Sequence, residues 1–230
     1  MKKKQKRNYS LPVLLGLMFM IIACGALYLA LHIEIYHEPE PETVEEPQYM
    51  TTNIELAEAG GIPIIHNYVD VDGTRRPGEI REIRYITIHE TDNRSEGADS
   101  AAHNTFLVGN DTDVTGWHYT VDAAVIYHNL PDNEIAWNAG DQRERYGGNM
   151  NGIGIELCVN IDGDFTQTVK NGAALTAALL DAYGLTPDDV RMHSDFMDKV
   201  CPHRLITEGR VEEFLELVRK DYQELQETKG

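Results

Sequence analysis

The chain has 230 residues, a length that suits one ordinary domain with additions. Its formal net charge is −18, with 38 acidic residues against 20 Lys and Arg. This acidity excludes binding to nucleic acid by counterion release, and it provides no electrostatic attraction to anionic lipid or to an anionic cell wall. The cysteines, Cys24, Cys158 and Cys201, are odd in number and widely spaced, so the sequence indicates no disulfide framework.

The N-terminal region is a basic segment followed by an apolar run. Residues 1–10 contain five basic residues, and residues 11–31 contain no charged residue. As an α-helix, this run would be about 31 Å long, close to the hydrocarbon thickness of a bilayer. We therefore predict a basic cytoplasmic tail at residues 1–10 and a single transmembrane anchor at residues 11–35. The basic flank then places the rest of the chain on the extracytoplasmic, cell wall side of the cell membrane.

Two alternatives compete with this anchor. A cleaved signal peptide has an apolar core of about 7–15 residues and a cleavage site of small residues, whereas this run is longer and has no such site. The sequence IIAC, which ends at Cys24, resembles a bacterial lipoprotein box, although the apolar run continues beyond it. The length of the run favours the uncleaved anchor, and cleavage or lipidation at Cys24 stays open.

Residues 36–60 are predicted to be an acidic, proline-interrupted spacer. Five glutamates and three prolines lie between residues 36 and 50, a composition typical of an extended, unfolded linker. Residues 53–60 are expected to form either a short helix or irregular structure, and residues 62–81 an irregular arm. The folded domain is assigned to residues 61–230.

Within that domain, segments of strand and helix character alternate. Strands are predicted at residues 85–88, 117–121, 124–130 and 153–159, where β-formers alternate or run together. Helices are predicted at residues 97–109, 166–183 and 211–225, and Gly184 is expected to end the second of them. This intermixing predicts an α/β fold with a central mixed β-sheet flanked by helices.

A candidate metal site lies near the C-terminal end. His193 and Cys201 are eight residues apart, and a loop of this length can bring an imidazole and a thiolate to the distance of about 2.0–2.3 Å that Zn²⁺ requires. The best candidate for a third ligand is His89, at the end of the strand predicted at residues 85–88. Lys199 would favour the thiolate form of Cys201 and could later stabilise an oxyanion. By itself the pair is a weak signal, since the spacing also arises by chance.

A carboxylate stands out in the strand predicted at residues 153–159. Alternation places the aliphatic residues on one face and Gly154, Glu156 and Cys158 on the other. Glu156 therefore either faces solvent at a sheet edge or lies on the floor of a site, where it could deprotonate a water molecule. Glu90 and Asp92 either fix the ring tautomer of His89 or are ordinary loop carboxylates.

Other histidines and aromatics have two interpretations each. His118, in a predicted strand, is either structural or a ligand contact. Trp137 lies in a loop-rich region and either stacks on a sugar ring or fills the core.

With these pieces in place, residues 84–204 resemble the zinc-dependent N-acetylmuramoyl-L-alanine amidases. The similarity is greatest to the autolysin and prophage endolysin branch of the fold that phage lysozyme-type amidases share with peptidoglycan-recognition proteins. The matching blocks occur in the order of the family: YITIHET (85–91), AH (102–103), WHYTVD (117–122), WNAGD (137–141), GIGIELCVN (152–160) and HSDFMDKVCP (193–202).

The resemblance implies a role for particular residues. His89, His193 and Cys201 match the ligands of one Zn²⁺ ion, Glu156 matches the catalytic acid, and Lys199 matches the lysine that stabilises the tetrahedral intermediate. The implied substrate is peptidoglycan, cleaved between N-acetylmuramic acid and the L-alanine of the stem peptide, by a monomeric catalytic domain with no nucleic acid partner.

The chain departs from the family pattern at two positions near the implied site. His118, Trp137 and Asn138 are predicted to contact substrate, but Asn138 stands where members of this branch often have histidine. Trp117 stands where the phage lysozyme group has a catalytic tyrosine, so it is given no acid–base role. Two alternatives stay open: a non-catalytic peptidoglycan-binding module of the same fold, and a hydrolase that uses Cys201 as nucleophile with His193.

Overall fold

A computed structural model describes residues 11–35, 48–71, 74–109 and 113–229. The chain divides into two compact units, Met1–Pro47 and Gln48–Gly230. In the first unit, helix α1 spans Leu11–Ile35. Within the described ranges, no helix combines the length and the apolar character needed to cross a membrane. The structure therefore contains a helix at residues 11–35, as predicted. It does not support the prediction that this helix is a transmembrane anchor. The basic tail at residues 1–10 and residues 36–47 of the spacer lie outside the described residues.

The second unit is built on a seven-stranded sheet. Its strands are β1 (Glu58–Ala59), β2 (Ile62–His66), β3 (Tyr85–Glu90), β4 (Tyr119–Val121), β5 (Ile126–His128), β6 (Gly152–Leu157) and β7 (Val190–Met192). The strand order is β1-β2-β5-β4-β6-β3-β7. The pairs β1–β2 and β4–β5 are antiparallel and the other pairs are parallel. The predicted central mixed sheet is confirmed.

The α-helices of this unit are α2 (Ser100–Gly109), α3 (Gly148–Asn151), α4 (Phe165–Tyr183), α5 (His203–Thr207) and α6 (Val211–Lys229). Three of them, α2, α4 and α6, follow the predicted segments with small shifts at their ends, and the short helices α3 and α5 were not predicted. Asp164 begins α4 by accepting a hydrogen bond from the N–H of Gln167 at 3.0 Å. Gly184 ends it in the left-handed region, with φ of 66°, as the sequence predicted.

Two apolar clusters hold the helices against the sheet. The larger joins the aliphatic residues of β3 and β6, among them Ile88 and Ile155, to α4 and α6. The smaller joins Leu107 of α2 to Trp117 and Leu130. Because each strand alternates its side chains between two faces, Thr87 and His89 of β3 and Gly154 and Glu156 of β6 face the other way. That face carries the candidate site.

The predicted boundary between spacer and folded domain is wrong. Tyr49, Met50, Ile54 and Leu56 pack against the larger apolar cluster. The segment predicted as an irregular arm contributes β2, which pairs in parallel with β5. The sequence does not show this, because β2 is ordered by pairing with β5, which lies far along the chain. In addition, β1 and β2 are too short to show a clear alternation of apolar and polar residues.

A buried carboxylate lies between β4, β5 and α4. Asp132 is fully buried and accepts hydrogen bonds from Tyr119 Oη at 3.1 Å and Tyr183 Oη at 2.7 Å. Its Oδ1 lies 3.2 Å from Nε2 of the equally buried His128. Burial acts to raise the pKa of Asp132, but His128 and Tyr183 outweigh it and lower the pKa. Asp132 is therefore a carboxylate in the folded chain.

Candidate metal centre and active site

Strand pairing places His89 beside Glu156. In the parallel pair β3–β6, His89 is directly opposite Glu156, and Thr87 is directly opposite Gly154. Residues directly opposite each other share a face of the sheet. Since the intervening Ile88 belongs to the larger apolar cluster, His89 and Glu156 project from the other face.

The three predicted ligands come together at this face. His193 begins a short 3₁₀ turn directly after β7, which is paired with β3. The N–H of Ser194 donates to the carbonyl of Cys201 at 3.0 Å and closes the loop between them. One ligand atom from each of His89, His193 and Cys201 lies within 4.8 Å of the others, and all three residues are buried.

The orientation of the two imidazoles suits a shared cation. Their Nδ1 atoms are 3.0 Å apart, and Nε2 of His193 lies 3.1 Å from the carbonyl of Ala139. Because a carbonyl only accepts, Nε2 of His193 donates, and the lone pair of the neutral ring is on Nδ1, towards His89. Metal-binding histidines commonly donate their second nitrogen to a carbonyl in this way. Nε2 of His89 is buried and has no hydrogen-bond partner.

The protonation of these residues also fits a metal site. Burial lowers the pKa of His193 to about 4, with Lys199 acting in the same direction. Burial, then His193 and Lys199, hold the pKa of His89 well below its usual value. Both imidazoles are therefore neutral at physiological pH, the form that binds a metal ion. Two neutral imidazoles and a thiol that converge in a buried site are a donor set that Zn²⁺ prefers.

Burial dominates the protonation of the Cys201 thiol. Burial and, to a smaller extent, Glu156 raise its pKa to about 12, and the Glu90 backbone and Lys199 oppose them only in part. Lys199 therefore favours the thiolate, as predicted, but its effect is smaller than that of burial. A cysteine nucleophile would lack its reactive form here, whereas a metal ion displaces the thiol proton on binding.

Glu156 has an unsatisfied oxygen at the site. The side chain is partly buried, and Oε2 is enclosed without a hydrogen-bond partner. Burial raises the pKa of Glu156 to about 8, against the lowering effect of Lys199 and with a smaller raising effect from Glu90 and Asp92. A carboxyl group with a pKa near neutrality can both accept and release a proton at physiological pH.

The loop that follows Trp137 forms one wall of the site. The N–H groups of Asn138 and Ala139 both donate to Oδ1 of Asn149, at 2.8 and 2.7 Å, which fixes the Ala139 carbonyl that orients His193. The Asn138 side chain lies over Gly154, where an added Cβ would overlap its Nδ2. Neither polar atom of that side chain has a partner. Trp137 is half-buried, and the predicted substrate contacts of Trp137 and Asn138 stay predictions.

His118 does not reach the site surface. It is fully buried, its Nδ1 accepts the N–H of Gly154 at 3.0 Å, and its Nε2 lies 3.0 Å from the carbonyl of Glu134. Burial lowers the pKa of His118 to about 3, and Arg81 adds to this effect. The predicted substrate contact of His118 is therefore not supported, since both ring nitrogens bind the backbone inside the protein.

The sequence contains no signal for the carbonyl of Ala139, because every residue has a carbonyl. Glu90 does not bind the His89 ring: its side chain accepts the N–H groups of Arg204 and Leu205 at 2.7 and 2.9 Å. Asp92 is exposed, with φ of 52°. Lys199 is also exposed.

A cavity of about 310 Å³ lies next to the site, and its lining includes Thr91, two residues after His89 in the chain. Its lining is mixed, with Phe106 of α2 and Trp117 as the large apolar residues. Trp117 Nε1 donates to Oγ1 of Thr120 at 2.7 Å, and Thr120 is directly opposite Glu156 in the sheet. The cavity is thus linked to the site through β4.

Comparisons with known proteins agree with this geometry. Residues 79–204 match the family model for N-acetylmuramoyl-L-alanine amidase. The chain is 40% identical over 145 residues to the N-acetylmuramoyl-L-alanine amidase XlyA of Bacillus subtilis (strain 168), covering 63% of this chain and 48% of the relative. It is 37% identical over 145 residues to the amidase CwlH of the same organism, covering 63% and 57%. The chain thus spans about half the length of these curated relatives.

Solved structures give the same result for the fold. The catalytic domain of XlyA aligns with a TM-score of 0.64 and 37% identity, covering 68% of this chain and 99% of that domain. The structure of PlyL aligns with a TM-score of 0.62 and 26% identity, covering 69% and 98%. From the family match over residues 79–204, we conclude that this chain belongs to the N-acetylmuramoyl-L-alanine amidase family.

Proposed function

We propose that this chain is a peptidoglycan hydrolase that cleaves the amide bond between N-acetylmuramic acid and the L-alanine of the stem peptide. Membership of the amidase family supports this activity. The observation that carries it is the convergence of ligand atoms from His89, His193 and Cys201 within 4.8 Å, on the sheet face that also bears Glu156.

We further propose that the three converging residues hold one Zn²⁺ ion. Three protein ligands of nitrogen and sulfur type leave a position open for water or substrate, as in catalytic zinc sites. When bound, the ion would polarise the scissile carbonyl and activate a water molecule. The Ala139 carbonyl keeps the lone pair of His193 directed into the site.

Glu156 moves the proton in this proposal. Its free Oε2 accepts a proton as the water oxygen attacks the carbonyl carbon. The same carboxyl group then gives that proton to the departing nitrogen of L-alanine as the carbon–nitrogen bond breaks. A pKa raised by burial to about 8 suits both steps, because neither protonation state is strongly favoured near neutral pH.

Lys199 supplies positive charge where negative charge develops. It is exposed, and its charge acts on His89, His193, Glu156 and Cys201. A cation there stabilises the oxyanion of the tetrahedral intermediate. Trp137 and Asn138, on the wall beside Gly154, are proposed to contact the substrate.

We place the catalytic domain on the extracytoplasmic side of the cell, because peptidoglycan is found there. This placement follows from the proposed substrate and does not depend on a membrane-spanning helix. Protease treatment of intact cells stripped of their wall tests it: the domain should be degraded, and a fully protected domain would contradict the placement.

A single set of assays tests the activity. The purified full-length chain should bind about one zinc ion and release stem peptides from peptidoglycan, and a chelator should abolish the release. Cys201→Ser should lose both properties. Cys158→Ala is the matched control, because Cys158 is a buried thiol outside the cluster, and it should keep both.

Other results would point to other functions. Zinc binding without release of stem peptides from several types of wall would favour the non-catalytic binding module. Release that resists the chelator and survives Cys201→Ser would contradict the metal mechanism.

A further inference from the structure

We infer that Glu90 is a positioning residue that fastens the loop carrying Cys201 to the strand carrying His89. The predicted effect on metal binding rests on the proposed function. The inference adds a residue on which the metal site depends. Glu90 neither faces the converging ligands nor joins them, so its effect on the site is exerted through Cys201.

The position of Glu90 separates it from the ligand face. It is the last residue of β3 and is directly opposite Leu157, which belongs to the larger apolar cluster. His89, one residue earlier, faces the other side of the sheet. Glu90 is 5% exposed, so its carboxylate is enclosed on the helical side.

Both oxygens of Glu90 bind the segment directly after Cys201. Oε2 accepts the N–H of Arg204 at 2.7 Å, and Oε1 accepts the N–H of Leu205 at 2.9 Å. These N–H groups belong to the first turn of α5, where a helix has no acceptors of its own. Two hydrogen bonds to one carboxyl group fix both the position and the orientation of this turn.

The main chain of Glu90 also lies close to the ligand. Its N–H lowers the pKa of the Cys201 thiol. The side-chain bonds hold the turn that follows Cys201, so one residue of β3 acts on both sides of that loop end. Together with the Ser194–Cys201 bond that closes the loop, these contacts connect all three ligand-bearing segments.

Loss of the carboxylate should loosen Cys201 without removing any ligand. In Glu90→Gln, the amide nitrogen is a donor and cannot accept a backbone N–H, so one of the two donors is left unpaired in a buried place. The loop would then sample positions in which the sulfur is farther from His89 and His193. Loss of such supporting contacts commonly weakens metal binding by about 10- to 100-fold.

The test compares Glu90→Gln with Asp164→Asn in the full-length chain. Asp164 also accepts a backbone N–H at the start of a helix, and asparagine keeps that acceptor oxygen, so this variant controls for the loss of a carboxyl group at a helix start. The first measurement is the affinity for Co²⁺, by competition with a chelator, together with the thiolate-to-cobalt charge-transfer band. The second is the rate of alkylation of Cys201 in the metal-free chain, followed by peptide mass.

We expect Glu90→Gln to bind Co²⁺ about 10- to 100-fold more weakly, and Cys201 to be alkylated faster by a similar factor. Asp164→Asn should match the parent chain in both. Glu90→Asp keeps both acceptor oxygens on a side chain one methylene shorter, so its affinity and alkylation rate should lie between those of the other two variants. It serves as the test if Glu90→Gln does not fold.

Equal affinities and equal alkylation rates in the Glu90 and Asp164 variants would overturn the inference. Alkylation needs no metal, so it decides the role of Glu90 even if the parent chain neither binds a metal ion nor releases stem peptides. A parent chain that neither binds a metal ion nor releases stem peptides would contradict the proposed function but not the role of Glu90.

Discussion

Replacing Glu156 by glutamine should stabilise the metal-free chain while it abolishes amidase activity. Burial raises the pKa of this carboxyl group from 4.5 to about 8 in the folded chain. Its contribution to stability is therefore fully present below about pH 4.5 and is lost as the pH rises through about 8. Glutamine has the shape of the protonated acid and cannot ionise, so Glu156→Gln avoids this loss.

The size of the effect follows from the two pKa values. At about 1.4 kcal/mol per pH unit, the difference between them corresponds to at most about 5 kcal/mol in the free energy of unfolding. Glu156 is partly exposed and Lys199 lies nearby, so we expect about 2–4 kcal/mol after solvent screening. The gain should be near its maximum at about pH 8 and below about 1 kcal/mol at pH 5.

Denaturant unfolding with a chelator present, at about pH 5 and about pH 8, measures the gain. The contributions of other titrating groups to the free energy of unfolding cancel when the variant is compared with the parent chain at the same pH. Glu144→Gln is the control, since Glu144 is exposed and its variant should show no such change with pH. A gain from Glu156→Gln that does not grow between the two pH values would refute the argument that burial disfavours the ionised form.

Two further substitutions test the support of the site and the core. Gly154→Ala would push the Asn138 side chain from its place, so we expect about 1–3 kcal/mol of destabilisation and up to about 100-fold lower release of stem peptides. Gly109→Ala, with nothing within 4 Å of an added Cβ, should keep full activity in the same assay. Asp132→Asn removes a buried charged acceptor opposite His128 and should cost about 3–5 kcal/mol in denaturant unfolding, and a cost below about 1 kcal/mol would contradict the ionised state assigned to Asp132.

The regular elements were largely predictable because their signals are local. The apolar stripe of α4, its start near Asp164 and its end at Gly184 all lie within one short stretch of sequence. The alternation in β6 correctly separated Glu156 from the aliphatic residues on the core face. By contrast, β2 was predicted as an irregular arm, because its order comes from pairing with β5, about sixty residues away.

For the site as well, local patterns predicted some features and long-range contacts determined the others. Residue types and family blocks predicted His89, His193, Cys201 and Glu156 as site residues, because each lies in a short matching block of sequence. They did not predict the pKa of Cys201, since burial and the neighbouring Glu156 oppose the effect of Lys199. They also could not separate His118, which is fully enclosed by backbone partners, from the histidines at the site.

The sequence by itself determined the chemical groups, the local elements and the family to which the chain is similar, because these are encoded in short stretches. Only the tertiary structure decided which of these groups meet and in what state of protonation. His89 faces Cys201 because parallel strands, a closed loop and the Glu90 carboxylate bring distant segments together. Burial raises the pKa of Glu156 and the pKa of the Cys201 thiol. It is a property of the packed chain, because it depends on neighbours that are remote in sequence.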